Sequence, residues 1–356
     1  MRRQVPLFIF ALVFMVLRAD ALQTSPPAKP LGTATPSATA NDASSAIAAA
    51  SKTFAAGHSE EALKQLDALA VITPEPQGVE RLRGFIFYQQ RNMVAAAAAY
   101  AKAIEQDPSD RESMQMRGVS LYSLGRPAEA IPLLEKARAA VPSANVDPNY
   151  VLGVCYIAVR RYDDARHAFA AQYGFAPDSA PAYLLVARLL LRQENPAAAE
   201  DSARKALALQ PDLPLAHQLL GEVALAREQL PEAIAEFDRE RALNPLNGSV
   251  YDRLGDAYVR SGDNDKAQQA LSRAVLLEPN ATGPYILLGK VMLNQQNYLL
   301  ATLYLERAIS MDPGNYMAHT LLGRAYRATG RKDDAAKEFQ TAQRLQSTVP
   351  PAAAKQ

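Results

Sequence analysis

The apolar and polar positions between about residues 43 and 349 follow the pattern of short amphipathic helices. Apolar residues recur at helical spacing in runs such as YDRLGDAYV at 251–259 and KAQQALSRAVLL at 266–277. Turn signals separate these runs, for example at residues 261–263 (SGD) and 329–331 (TGR). The pattern therefore predicts a chain of helices that are joined by tight turns.

Three series of residues share one period of 34 residues, with a single step of 35. A small residue lies in the first run of each unit, an alanine lies in the second run, and a proline ends the unit because it cannot continue a helix. Small residues let two helix backbones approach to roughly 8 Å. We therefore expect each unit to be an antiparallel helix pair in which the glycine faces the alanine, with apolar faces buried between stacked units. The series are Pro74, Pro108, Pro142, Pro177, Pro211, Pro245, Pro279 and Pro313; Ala50, Gly84, Gly118, Gly153, Ala187, Gly221, Gly255, Gly289 and Gly323; and Ala62, Ala96, Ala130, Ala165, Ala199, Ala233, Ala267, Ala301 and Ala335.

These residues resemble the tetratricopeptide repeat (TPR), a family whose unit has 34 residues. The unit 248–281 carries the family pattern at Gly255, Tyr258, Ala267 and Pro279. The resemblance implies an all-α fold, a right-handed α-solenoid (TPR superhelix) of stacked antiparallel helix pairs. About nine units are expected, at about 43–76, 77–110, 111–145, 146–179, 180–213, 214–247, 248–281, 282–315 and 316–349.

The N-terminus contains the three parts of a secretory signal. Arg2 and Arg3 precede an uncharged run from Val5 to Leu17, and residues 19–21 (ADA) form a small-x-small cleavage pattern. We expect residues 1–21 to be a cleaved signal peptide, which makes the protein exported, and periplasmic or extracellular if its source is bacterial. The alternative is an uncleaved anchor, for which the apolar run is short.

Two further segments are expected to lie outside the repeats. Residues 22–42 are rich in Pro, Ser, Thr and Ala and have few large apolar side chains, which predicts a flexible linker. Residues 350–356 are expected to be a disordered tail.

The charge of the chain is almost balanced. It has 38 Lys and Arg against 37 Asp and Glu, a formal net charge of +1. Such a chain has no basic field for phosphate backbones, so we expect no nucleic-acid binding. No window reaches the ~18 apolar residues of a spanning helix, so we expect no transmembrane span after signal cleavage.

Few residues suggest chemistry of their own. His58, His167, His217 and His319 fall in different units without ligand spacing, so we expect no metal site. His217 and His319 stand at the fourth position of their units, where other units have tyrosine, and they are interpreted as packing residues. Cys155 is expected to be a buried, inert thiol. We therefore expect no cofactor and no catalytic residue.

The resemblance also implies a binding surface, because the first helices of a TPR array line an inner groove. Its side chains come mainly from the second, fifth, ninth, twelfth and thirteenth positions of each unit. The early units would then hold apolar or aromatic groups of a partner, and the later ones charged groups or a carboxylate. The alternative is that the charged residues are a solvated face and the aromatic residues pack against neighbouring units. The implied residues are Arg81, Phe85, Tyr88, Val119, Tyr122, Tyr150 and Val154 in the early units, and Arg188, Arg192, Glu222, Asp252, Asp256, Arg260, Lys290, Asn294, Arg324 and Arg327 in the later ones.

One TPR subtype is excluded by these positions. It clamps a terminal carboxylate with Lys at the fifth and Asn at the ninth position, with further Asn and Lys or Arg in the next two units. The corresponding pairs here are Arg81/Phe85, Gln115/Val119 and Asp252/Asp256.

The expected function is a non-catalytic scaffold that binds a peptide segment or a partner subunit in its groove, as an accessory factor of an envelope or secretion complex. The alternative is a structural protein that self-assembles into homo-oligomers through the C-terminal repeat, because no capping helix is evident after Leu345. A remote alternative is a relative of the TPR-bearing Ser/Thr glycosyltransferases that lacks their catalytic domain.

Overall fold

The computed structural model describes residues 37–138 and 148–348, with side chains from 42 to 138 and from 148 to 347. These residues form eighteen α-helices joined by turns, and they contain no β-strand. The prediction of an all-α fold of stacked antiparallel helix pairs is therefore confirmed. The expected signal peptide and the expected C-terminal tail lie outside the described residues.

The chain divides into two compact units, one up to Asp178 and one from Ser179. In the first unit, successive helices pack as pairs, and the first helices of neighbouring pairs also contact each other. Its helices are α1 (Ser37–Ala55), α2 (Ser59–Ala70), α3 (Val79–Gln89), α4 (Met93–Gln106), α5 (Arg111–Ser123), α6 (Pro127–Arg138), α7 (Asn149–Ala158) and α8 (Tyr162–Tyr173).

The second unit is built in the same way. Its first helices α9, α11, α13, α15 and α17 contact one another in series, and each packs against the helix that follows it in the chain. Its helices are α9 (Ala180–Arg192), α10 (Pro196–Leu209), α11 (Ala216–Ala226), α12 (Leu230–Leu243), α13 (Gly248–Ser261), α14 (Asn264–Leu277), α15 (Thr282–Asn294), α16 (Tyr298–Met311), α17 (Tyr316–Ala328) and α18 (Lys332–Thr348).

Helix α1 begins earlier than the sequence pattern suggested. It starts at Ser37, inside the segment 22–42 that was expected to be a linker. The last proline of that segment is Pro36, and the following residues are mainly Ala and Ser. Alanine is the strongest helix former, so the chain can enter a helix as soon as the prolines end.

The packing of the small residues corrects one expectation. The periodic alanines are buried as expected, with exposed fractions of 0 to 3%. The periodic glycines, however, face the large residue sixteen positions later in the second helix. A Cβ added to Gly221 would lie 2.5 Å from Cε1 of Phe237, and one added to Gly84 would lie 2.9 Å from Cδ1 of Tyr100. The glycine is therefore needed because a ring or a leucine occupies the space of its missing side chain.

The periodic prolines among the described residues lie in the connections between helix pairs, and the carbonyl groups of three of them have a structural role. Tyr251 donates its hydroxyl hydrogen to the carbonyl oxygen of Pro245 at 3.1 Å, and Tyr285 does the same to Pro279 at 3.2 Å. Nε2 of His319 lies 3.1 Å from the carbonyl oxygen of Pro313. The interpretation of His319 as an aromatic substitute at a packing position is confirmed.

No helix within residues 37–138 or 148–348 combines the length and the apolar composition that a membrane span requires.

Candidate partner-binding groove

The candidate site is the surface that the first helices of neighbouring pairs share. We call the surface of α3, α5 and α7 the aromatic face, and the surface of α9, α11, α13, α15 and α17 the charged face. Each belongs to one of the two compact units and is described by itself. Because the first helices within a unit contact one another, side chains at equivalent positions form a row across them.

The aromatic face is largely occupied by contacts within the protein. The Phe85 ring is half-buried and makes an edge-to-face contact with Phe54, with ring centroids 5.7 Å apart. Tyr88 is only 7% exposed and packs with Ala96 and Tyr100. Burial also raises the pKa of Tyr88. These rings therefore serve the packing of the unit, as the alternative interpretation of the aromatic residues expects.

Other expected residues of the aromatic face keep some accessible surface. The Tyr122 ring is half-buried, and burial raises its pKa to about 12. Tyr150 makes an edge-to-face contact with Phe169, with centroids 5.8 Å apart. Arg81 is half exposed and lies 3.8 Å from a carboxylate oxygen of both Asp110 and Glu112. Val119 is half-buried and Val154 is buried.

On the charged face, basic side chains lie on the outer helices. Arg188 and Arg192 are exposed one turn apart on α9, and Lys290 and Arg324 are exposed on α15 and α17. None of these four forms an ion pair with a residue that the structure describes. Arg327, also on α17, stacks over the ring of Phe339 at 5.5 Å from its centroid.

The central helices of the charged face carry the acidic side chains. Glu222 on α11 accepts a hydrogen bond from Nε2 of Gln218 at 3.0 Å and lies 3.6 Å from Nε of Arg253. Asp256 on α13 forms an ion pair of 2.9 Å with Arg260, one turn later. The charged face therefore has an acidic centre between two basic sides. At the same face, the amide of Asn294 donates to Oδ1 of Asn264 at 3.2 Å.

Asp252 differs from the other acidic residues of the charged face. Its Oδ1 is shielded from water and has no hydrogen-bond partner among the described residues. Burial raises the pKa of its carboxyl group, Asp256 and Glu278 raise it further, and Arg253 opposes the shift. The sequence placed Asp252 in the groove, but it gave no sign that this carboxylate lacks a partner.

The residues considered for chemistry have structural surroundings. Cys155 is fully buried, as expected, and burial raises the pKa of its thiol to about 12, which disfavours the reactive thiolate. Nδ1 of His217 lies 2.7 Å from Oε2 of Glu236, and Nδ1 of His319 lies 2.5 Å from Oε2 of Glu338. Within the described residues, no three His, Cys, Asp or Glu side chains are grouped so that they could hold a metal ion.

Known protein families match most of the repeat region. Two tetratricopeptide repeat models match residues 121–189 in one case and residues 47–111 and 184–247 in the other. A third model, the middle TPR-like domain of cilia and flagella-associated protein 70, matches residues 232–346.

Individual relatives are more distant. Anaphase-promoting complex subunit 3 of Schizosaccharomyces pombe is 23% identical over 80% of this chain, and tetratricopeptide repeat protein 21A of Mus musculus is 24% identical over 37%. The aligned part spans only 43% and 10% of those two proteins.

Among solved structures, YrrB, described as a TPR protein with an unusual peptide-binding site, aligns with 23% identity. The alignment covers 52% of this chain and 94% of YrrB, with a TM-score of 0.44. The family matches follow the same repeats that the sequence pattern and the helix pairs define. The chain is a tetratricopeptide repeat protein.

Proposed function

We propose that the protein is a non-catalytic protein–protein interaction scaffold, which binds an extended peptide segment or a partner subunit along its first helices. The observation that carries this proposal is the charged face. Five first helices contact in series there, so that the ninth positions of their repeats form one continuous row of charged side chains, which are Arg188, Glu222, Asp256, Lys290 and Arg324. A row of this kind can contact an extended partner chain that lies across several repeats.

The chemistry of the charged face supports binding of polar groups. Arg188 and Arg192 offer two guanidinium groups one turn apart, with no ion pair inside residues 37–138 or 148–348. A guanidinium group binds a carboxylate through two parallel hydrogen bonds. These two side chains would therefore hold acidic residues or a terminal carboxylate of the partner.

The first test is a pair of matched double substitutions. Arg188→Ala with Arg192→Ala removes two cations from the first helix α9. Arg307→Ala with Arg344→Ala removes two exposed cations from the second helices α16 and α18. We expect the α9 variant to weaken partner binding at least tenfold by isothermal titration calorimetry. Equal losses for the two variants would contradict a first-helix binding surface.

The aromatic face is tested by photo-crosslinking in native cells. A benzoylphenylalanine in place of Tyr122, on the first helix α5, is compared with one in place of Leu299, which is 81% exposed on the second helix α16. We expect a specific adduct from position 122 alone. Adducts of equal yield from both positions would contradict a role of the aromatic face.

We also propose that the protein is exported and acts in an envelope or secretion complex. Residues 1–21 support export through their basic start, apolar run and cleavage pattern, although they lie outside the described residues. Sequencing the N-terminus of the protein from native cells is expected to give Leu22 as the first residue. A retained Met1 would contradict cleavage.

A further inference from the structure

The boundary between successive repeats contains a recurring contact on the groove side. The side chain at the fifth position of one repeat lies against the second position of the next. Nη1 of Arg81 is 3.8 Å from Oε2 of Glu112, and Nε2 of Gln218 donates to Oγ of Ser249 at 3.3 Å. In these two boundaries, a polar side chain of the following repeat therefore supplies a partner for the fifth position.

At the boundary after Asp252, the fifth position again carries a polar residue, but the next repeat has no side chain opposite it. The second position of the next repeat is Gly283, and a Cβ added there would lie 3.6 Å from Oδ2 of Asp252. Neither oxygen of Asp252 has a hydrogen bond or an ion pair with any residue that the structure describes, and Oδ1 is also shielded from water. Oδ1 is therefore a buried acceptor without a donor, which is unfavourable, whereas Oδ2 is not shielded and is the oxygen that a donor from outside can reach.

The groups around Asp252 do not provide that donor. Nε of Arg253 lies 3.6 Å from Oε1 of Glu222, and Nη2 of Arg260 lies 2.9 Å from Oδ2 of Asp256, so both guanidinium groups pair with other carboxylates. Glu278 adds a further negative charge nearby. Asp252, Asp256 and Glu278 thus place three carboxylates near Gly283, with Arg253 as the opposing cation, and a Cβ added to Gly283 would meet only the Asp252 carboxylate within 4 Å.

We infer that Asp252 receives a lysine or arginine side chain of the bound peptide, in the space that Gly283 leaves open. This inference rests on the proposed function and names the chemistry of the ligand. The basic side chains of α9 on one side, and of α15 and α17 on the other, favour acidic residues at both sides of that cation. The preferred segment has a basic residue between acidic ones.

The first experiment identifies the peptide sequence that the protein prefers, and it requires no known partner. A displayed library of random twelve-residue peptides is selected on the purified protein, on Asp252→Asn, and on the control Asp201→Asn. Asp201 is exposed on the second helix α10. We expect Lys or Arg to dominate one position of the peptides selected by the unchanged protein and by the control, and this preference to vanish with Asp252→Asn.

The outcomes separate the inference from the proposed function. Peptides that bind the protein but show no basic preference, or a preference that Asp252→Asn leaves intact, overturn the inference and leave peptide binding standing. A protein that selects no peptide from the library overturns both. Melting curves of the variants confirm that each is folded, which we expect because Asp252→Asn removes only a poorly solvated charge.

The second experiment adds a side chain at position 283, so that the protein itself occupies the space beside Asp252. Gly283→Ser places a hydroxyl donor next to Asp252, whereas Gly283→Ala adds the same Cβ without a donor, and its Cβ meets nothing closer than 3.6 Å. We expect Gly283→Ser to weaken binding of the selected basic peptide about tenfold, and Gly283→Ala to weaken it less, because alanine takes up part of the same space but offers no donor to Asp252. Equal affinities of the two variants would overturn the inference.

Discussion

At the scale of single residues, the repeat is held together by complementary sizes. Gly153 lies against the ring of Phe169, and Gly118 lies against Leu134. Two repeats have alanine instead of glycine. Ala187 is followed sixteen positions later by a small residue, Ala203, so that the larger residue on the first helix is matched by a smaller one on the second. Ala50 is followed by Leu66 and does not follow this rule, although both are fully buried in one cluster.

Gly221→Ala is expected to destabilise the protein by roughly 1–3 kcal/mol, because its Cβ would lie 2.5 Å from the Phe237 ring. Phe237→Leu in the same chain should recover part of the loss by giving up ring volume. Urea unfolding of the single and double variants measures both effects. A single variant as stable as the unchanged protein would contradict the close contact.

The sequence could predict which positions are small, but not what they touch. A period shows that Gly221 and Gly255 are equivalent, and it shows the same for the alanines of the second helix. The residue that a glycine contacts depends on how the two helices of a pair are rotated about their axes relative to each other. The spacing of one residue series along the sequence does not give this rotation. For the same reason, the missing donor at Asp252 could not be predicted, since Gly283 belongs to the next repeat.

Asp252 should also make stability depend on pH. Its folded-state pKa is raised, chiefly by burial, so the folded protein binds the proton more tightly than the unfolded chain. Stability is then lost as the pH rises from the ordinary aspartate pKa through the raised one. We expect Asp252→Asn to melt at a higher temperature than the unchanged protein at pH 7, with the difference shrinking at acidic pH.

Melting curves across that pH range, with Asp201→Asn as the exposed control, test this dependence. A constant difference between Asp252→Asn and the unchanged protein at every pH would argue against titration of Asp252.

At the scale of helices and turns, each pair is joined by a turn with one left-handed residue. Gly262 occupies this position with φ of +82°, and Gln296 occupies it with φ of +62°. Glycine adopts this conformation without strain, whereas a residue with a side chain pays roughly 1–2 kcal/mol. The turn signals with glycine were readable in the sequence, but the equivalent turns without glycine were not.

The two turns permit a reciprocal substitution. We expect Gln296→Gly to stabilise the protein by roughly 0.5–1 kcal/mol, since relief of strain exceeds the added freedom of the unfolded chain. Gly262→Gln should destabilise it by about 1–2 kcal/mol. Chemical denaturation measures both, and changes of the same sign would contradict the strain argument.

At the scale of the whole molecule, contacts within each unit connect helices that are close in the sequence. Stability in such an array is a sum of repeat terms and of terms between neighbouring repeats. This locality was predictable from the period, because a repeat of 34 residues can only bury its faces against the next one. A local defect should therefore have local consequences.

Gly323→Ala tests this locality. Its Cβ would lie 2.7 Å from Cε1 of Phe339, so the pair α17 and α18 should loosen. We expect hydrogen–deuterium exchange to accelerate in α17 and α18, to a lesser degree in α15 and α16, and to stay unchanged in helices α1 to α8. Gly255→Ala, inside the unit, should instead accelerate exchange in the neighbouring pairs on both sides. Uniform acceleration over all the described helices would show that the chain unfolds as one cooperative body.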